Sequence, residues 1–311
     1  MPATPPQQEP IAPAEAARLL RLATSASVAV AVTLIVAKTL AYLQTGSVSI
    51  LASLVDSLMD SGASLLNLVA VRYALAPADR KHRFGHGKAE SISALAQSAL
   101  IILSGIYLLV EALRRLQSPR ELPTLELGIA VMLFTIVMTL ALLALQGYVI
   151  RRTHSAAIRA DALHYRTDLL TNSAVILALV LAQWGWTGMD PLFAAGIAVY
   201  ILLSARRIMA DAFNELLDRE LPEPQRQLIH ETANRHPAVH GIHDLRTRSA
   251  GRVDFVELHL ELDGDMPLRQ AHHIADEVAA AIRRALPGAD VVIHQDPAGL
   301  RERRLEERLA D

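Results

Sequence analysis

Six apolar runs, each near the ~20 residues that a helix needs to cross a bilayer, set the frame for everything else in this chain. They cover roughly 18–43, 47–74, 90–113, 124–150, 157–183 and 188–211. Each is apolar on nearly all faces, which argues against an amphipathic bundle in water. At 52% hydrophobic residues over 311 positions, the chain is too apolar for an ordinary soluble protein.

Polar groups inside such runs are therefore informative. Asp56 and Asp60 lie in LASLVDSLMDSG, inside the second run. Four residues apart, they share a helix face about 6 Å apart along the axis. An ionised carboxylate in hydrocarbon costs at least ~2.5–3.5 kcal/mol, and two on one face also repel. A bound cation would offset that cost. His164 and Asp168, in RADALHYRTD, repeat the i, i+4 spacing at the start of the fifth run. Together the two pairs offer three carboxylates and one imidazole, a set that suits tetrahedral Zn²⁺ and tolerates Fe²⁺, Mn²⁺ or Cd²⁺. The bland alternative for any single intramembrane Asp is a hydrogen-bonded structural group. Lys38, Asn67, Gln97, Gln146 and Asn172 read as packing or water contacts.

The chain has no cysteine, so any metal must be held by His, Asp and Glu. Net charge is −2, and no global field points to nucleic acid. Twelve basic residues cluster at one set of run ends, among them Arg18, Arg72, Arg151 and Arg206, against three at the other, Arg114, Arg115 and Arg120. The asymmetry predicts both termini in the cytoplasm. The second and fifth runs then cross in opposite directions, and their polar pairs can meet near the midplane, where alternating-access carriers bind ions.

On the same side, the loop PADRKHRFGHGKAES carries Asp79, His82 and His86, a spacing that can close on one metal, with Gly85 and Gly87 free to turn tightly. Short His/Asp clusters in loops are also often only solvated polar residues. Residues 1–16, with five prolines, read as a disordered tail. No basic segment precedes a short apolar core, so a cleaved signal peptide is not expected. Residues 17–211 form the transmembrane domain, 212–297 a polar domain, and 298–311 a charged tail of unassigned role.

Eight of the twelve histidines follow Leu221. Residues 224–236 read as a short helix, and 240–248 and 253–262 as strands. Val256, Leu258, Leu260 and Leu262 share one strand face while His259 takes the other. Leu268, Ala271, Ala275, Val278 and Ile282 repeat at helical spacing, and Asp290–Gln295 closes an αββαβ domain of a size able to fold alone. His243, His259, His272, His294 and Asp296 come from different elements, and spacing does not say whether they converge or lie scattered over an acidic surface.

The stretches LVDSLMDSGASLLNL, PADRKHRFGHGKAES, RADALHYRTD, GIHDLRTR and VVIHQDP together resemble the cation diffusion facilitator family, in its bacterial zinc/ferrous-iron efflux pump type, from about Ala17 to Pro297. The resemblance implies an α-helical membrane protein with six transmembrane helices and a C-terminal α+β metallochaperone-like cytoplasmic domain. It implies a homodimer, multi-pass in a bacterial inner membrane. It implies a transport site from Asp56, Asp60, His164 and Asp168 and a loop site from Asp79, His82 and His86. It further implies a binuclear cytoplasmic site from His243, His259, His272, His294 and Asp296, with Gln295 contributing. No cofactor beyond a bound divalent metal is implied, Zn²⁺ first, then Fe²⁺ or Cd²⁺. The tails inherit nothing.

No G-x-x-x-x-G-K-[ST] phosphate loop and no H-E-x-x-H occurs, so neither ATP-driven transport nor a metalloprotease is expected. The expectation is proton-coupled antiport of metal out of the cytoplasm, regulated by the cytoplasmic domain. A metal-gated channel and a non-transporting sensor or scaffold are the competing readings.

Overall fold

The computed structural model describes residues 12–45, 48–117, 126–183, 189–299 and 304–305. The chain divides into two compact units, one ending at Phe213 and the other beginning at Asn214.

The first unit is a helical bundle of α1 (Pro13–Thr45), α2 (Val48–Ala74), α3 (Ala89–Gln117), α4 (Glu126–Thr153), α5 (Ala156–Gln183) and the greater part of α6 (Met189–Leu216). Helix α1 begins at Pro13, inside the stretch read from sequence as a tail, and α6 continues five residues past Asp211. By length and composition, five helices are able to cross a membrane among the described residues: α1, α2, α3, α4 and α6. Helix α5 carries Arg159, Asp161, His164, Arg166 and Asp168 in its first half and an apolar run in its second. It is also the helix that packs against α1, α2, α3 and α4, so its polar half faces protein. Large apolar side chains face outward instead, Leu43, Met59 and Tyr107 among them. That inversion of the usual burial order is what a hydrocarbon solvent selects.

Local chemistry sets the helix ends. His154 takes a left-handed φ of 53° between α4 and α5. Asp218, at φ 57°, ends α6, where the Arg219 amide donates to the Asn214 carbonyl at 3.0 Å; an αL residue satisfies an orphan helical carbonyl in this way. Helices α3 and α6 approach closely at Gly105, where an added Cβ would lie 3.0 Å from Leu202 Cδ2.

The second unit contains α7 (Glu223–Asn234), β1 (Gly241–Ala250), β2 (Val253–Leu262), α8 (Leu268–Ala285) and β3 (Asp290–Pro297). The sheet order is β1-β2-β3, with β1 antiparallel and β3 parallel to β2. Val256, Leu258, Leu260 and Leu262 bury one face of β2 against Ile229 and Ala233 of α7 and Ala271, Ile274, Ala275, Val278 and Ile282 of α8. Each such aliphatic burial stabilises by about 1.5–3 kcal/mol. The helical stripe was expected to start at Leu268, but that side chain is 78% exposed. It is the first residue of α8, after Pro267, one turn short of the sheet.

Candidate metal centres

The intramembrane pairs come together through α2 and α5. His164 Nε2 lies 2.9 Å from Asp60 Oδ1 and 3.9 Å from Asp168 Oδ2. One ligand atom from each of the three lies within 4.8 Å of the others. The short contact to Asp60 is off-axis, because His164 Nε2 is buried without a well-directed hydrogen bond. A nitrogen so placed, facing two carboxylates, fits a metal ligand. Asp56 sits one helical turn before Asp60, but its side chain lies outside the described residues. Beside the cluster is a cavity of about 150 Å³ whose lining includes Lys38, Ser57, Asp60, Tyr165, Asp168 and Asn172. Lys38 is buried and donates to Ser57 Oγ at 2.6 Å and to the Ser53 carbonyl at 3.1 Å.

The loop cluster is built by its own backbone. Asp79 Oδ1 accepts from the amides of Lys81 at 2.7 Å and His82 at 2.6 Å. Those amides, His82 first, hold the Asp79 carboxyl down to about 2. Gly85 makes the turn at φ 85°, with its amide donating to the His82 carbonyl; Gly87 is not among the left-handed glycines. Asp79 Oδ2 lies 3.4 Å from His82 Nδ1 and 3.3 Å from His86 Nε2. The Ala76 carbonyl, 3.3 Å from His86 Nδ1, can only accept. Nδ1 is therefore the donor to that carbonyl, and Nε2, buried without a hydrogen bond, points toward Asp79. A carbonyl that fixes the tautomer behind a ligating nitrogen is the usual support of a metal-bound histidine.

In the second unit, register does the assembly. His243 of β1 pairs with His259 of β2, which pairs with His294 of β3, so three imidazoles stand side by side across the sheet. Their ring centres are 5.0 and 4.6 Å apart. A β-bulge between His243 and Arg246, with Asp244 at φ 49°, makes this possible. Without the extra residue, straight pairing would turn His243 to the core face. Asp296, two residues beyond His294, reaches all three: 2.7 Å to His259 Nδ1, 3.2 Å to His294 Nε2 and 3.4 Å to His243 Nε2. Glu261 adds an oxygen 3.7 Å from His243. His243 Nδ1 is buried without a hydrogen bond.

Two expected members stand apart within one protomer. His272 is exposed on α8 and pairs with Asp276 at 3.5 Å; α8 covers the core face of β2, opposite the histidine row. Gln295 pairs in register with Leu260, and strand alternation places it on the side away from His294 and Asp296.

Sequence reasoning passed over Asp161. It is fully buried on α5, and its Oδ2 accepts from Ser27 Oγ at 2.6 Å and Gln146 Nε2 at 2.7 Å. It stands in RADALHYRTD three residues before His164, but the i, i+4 pairing left it unassigned.

Comparison with known proteins gives the family. Residues 25–217 match the model of a cation efflux transmembrane domain, and residues 221–298 that of the cation efflux protein cytoplasmic domain. The chain is 51% identical over 281 residues to the cation-efflux pump FieF of Pectobacterium atrosepticum, covering 90% of this chain and 94% of that one. To FieF of Escherichia fergusonii it is 50% identical over 283 residues, covering 91% and 94%. A solved structure described as "Mode of Action of a Putative Zinc Transporter CzrB (Zn form)" is 38% identical over 28% of this chain and 99% of that one, with a TM-score of 0.25. With a helical transmembrane unit, an αββαβ unit and both family models matched along its length, the chain belongs to the cation diffusion facilitator family.

Proposed function

We propose that this cation efflux protein is a proton-coupled antiporter that exports divalent transition metals, Zn²⁺ first and Fe²⁺ or Cd²⁺ next, across a bacterial inner membrane. The observation that carries the reading is the meeting of Asp60, from α2, with His164 and Asp168, from α5, within one ion's reach inside the bundle. Asp56, one turn away, would complete four N/O ligands, a set suited to zinc. The names of the FieF relatives, cation-efflux pumps, support the direction of transport. The basic residues at one end of the bundle support cytoplasmic termini.

Ligands bind metal deprotonated, so loading displaces protons and unloading accepts them. Two alternating orientations of such a site exchange metal for protons, and the inward proton gradient drives efflux. The sensing sites would be the loop cluster and the histidine row. His272, exposed on α8 and apart from its own row, would complete the row of a second copy, which supports a homodimer. Occupancy would then bias the dimer toward the transporting state.

The test is Zn²⁺ uptake into inverted membrane vesicles with an imposed pH gradient. Saturable uptake that collapses when the gradient is abolished is expected. Uptake indifferent to the gradient would remove the coupling, non-saturating flux would mark a channel, and no flux at all would mark a sensor or scaffold.

A further inference from the structure

The cavity beside the metal cluster lies to one side of the Asp161 network on every helix that lines it. On α1 the cavity is lined by Leu34 and Lys38, and the network uses Ser27; on α2 the cavity has Ser57 and the network Ser64. On α4 the cavity has Thr135 and Thr139 and the network Gln146; on α5 the cavity has Asp168 and Asn172 and the network Asp161. Residue numbers rise away from the network on α1 and α5 and fall on α2 and α4, as antiparallel neighbours require. The network therefore caps the cavity at the end of the bundle where the basic residues cluster.

Its bonds tie four helices together. Ser27 and Gln146 both donate to Asp161 Oδ2, and Gln146 also donates to Ser27 Oγ at 3.0 Å. Tyr165, next to His164, donates its hydroxyl to the Ser27 carbonyl at 3.2 Å and accepts from Ser64 at 3.0 Å. Ser27, Ser64, Gln146 and Asp161 are fully buried. Beyond the network, toward the basic end, Leu20, Val71, Val149 and Ile158 pack with no exposed surface. An ion leaving the cluster in that direction meets a closed hydrogen-bond layer and then an apolar plug.

We infer that Asp161 is the positioning residue of an inner latch: its bonds to Ser27 and Gln146 hold α5 against α1 and α4, closing the metal cavity toward the basic end, and they must break for metal to enter from there. This deepens the transport reading and rests on it for the direction of traffic. The bonds to Asp161 Oδ2 hold the layer closed, while Asp161 Oδ1 and Gln146 Oε1 are buried in it without a hydrogen-bond partner, a cost that water would relieve on opening. The layer also offers a second state when helices shift, because each group can exchange its partner for water once the cavity wets.

The chain has no native cysteine, so a single introduced one reports accessibility cleanly. Asn172→Cys places a thiol in the cavity. It is labelled with a membrane-impermeant maleimide in vesicles of each orientation, without metal. Labelling from the end away from the basic residues is expected. Adding Asp161→Ala should raise labelling from the basic end at least about tenfold, as for the loss of two buried hydrogen bonds. Asp161→Asn, which keeps an acceptor oxygen, should restore most of the one-sidedness, a rescue that general loosening of the bundle would not give. If Asp161→Ala does not reach the membrane, Ser27→Ala makes the same comparison without removing a carboxylate. Labelling that stays one-sided in the alanine variants, or that is two-sided with Asp161 intact, overturns the latch, as does an asparagine variant labelled like alanine. The readout needs neither metal nor transport, so failure of Zn²⁺ uptake would strike the transport reading alone.

Discussion

The orientation of the His86 ring bears most directly on the candidate loop cluster. The Ala76 carbonyl faces Nδ1 and turns Nε2 toward Asp79. His86→Ala should cost the loop at least the ~10–100-fold in affinity that loss of even a supporting outer-shell group costs. Calorimetric Zn²⁺ titration should show that one class of site disappear while the others persist. Asp79, held down to about 2 by two backbone amides, orders this loop. Its folded value is below the ordinary 3.8, so the contribution is full above 3.8 and is lost as pH falls through about 2. The opposite sign holds at Asp254, on β2 opposite Ser249, where burial raises the carboxyl. The charged form there is penalised at neutral pH and the penalty fades on acidification. Asp254→Asn should therefore melt higher than wild type at pH 7, with the difference closing as pH drops to the ordinary carboxylate range. A difference that widens on acidification would reverse the assignment.

Among the elements, β1 shows best what local sequence hides. Residues 240–248 read as a strand, and the structure has one at Gly241–Ala250. The bulge that turns His243 toward His259 has no glycine to announce it; Asp244 takes the left-handed position itself. Asp244→Val should be resisted there, at about 1–2 kcal/mol for a left-handed non-glycine residue. The strand would relax by straightening, taking His243 out of the row. Asp244→Gly should keep the row. Metal titration of the two variants, with circular dichroism to show the sheet retained, checks this. The i, i+4 pairs were readable because one helix carries both members. Asp161 was not, because its partners Ser27 and Gln146 sit on helices 134 and 15 residues away and leave no periodic trace around it.

For the whole molecule, one helical unit and one α+β unit carry separate candidate metal clusters, and the two can be tested apart. Asp60→Ala should abolish Zn²⁺ flux in proteoliposomes while the histidine row still titrates. His259→Ala should raise the cytoplasmic metal concentration needed for half-maximal flux more than it lowers the limiting rate. Total loss of flux would instead make the row part of the conduction machinery. The division into two units was legible from composition, since the histidines gather after Leu221 where the apolar runs stop. Where His272 belongs was not, because within one copy it faces Asp276 and no row member.

The two kinds of cluster differ in how much they can give. His243, His259 and His294 are rungs of one hydrogen-bonded ladder, whose ~4.8 Å strand spacing hardly changes. That row is a gauge of fixed bore. Asp60 and His164 stand on separate rods with no backbone bond between them, free to slide like the jaws of a wrench. On the proposed transport reading, one station would measure the ion and the other would grip it and let it go.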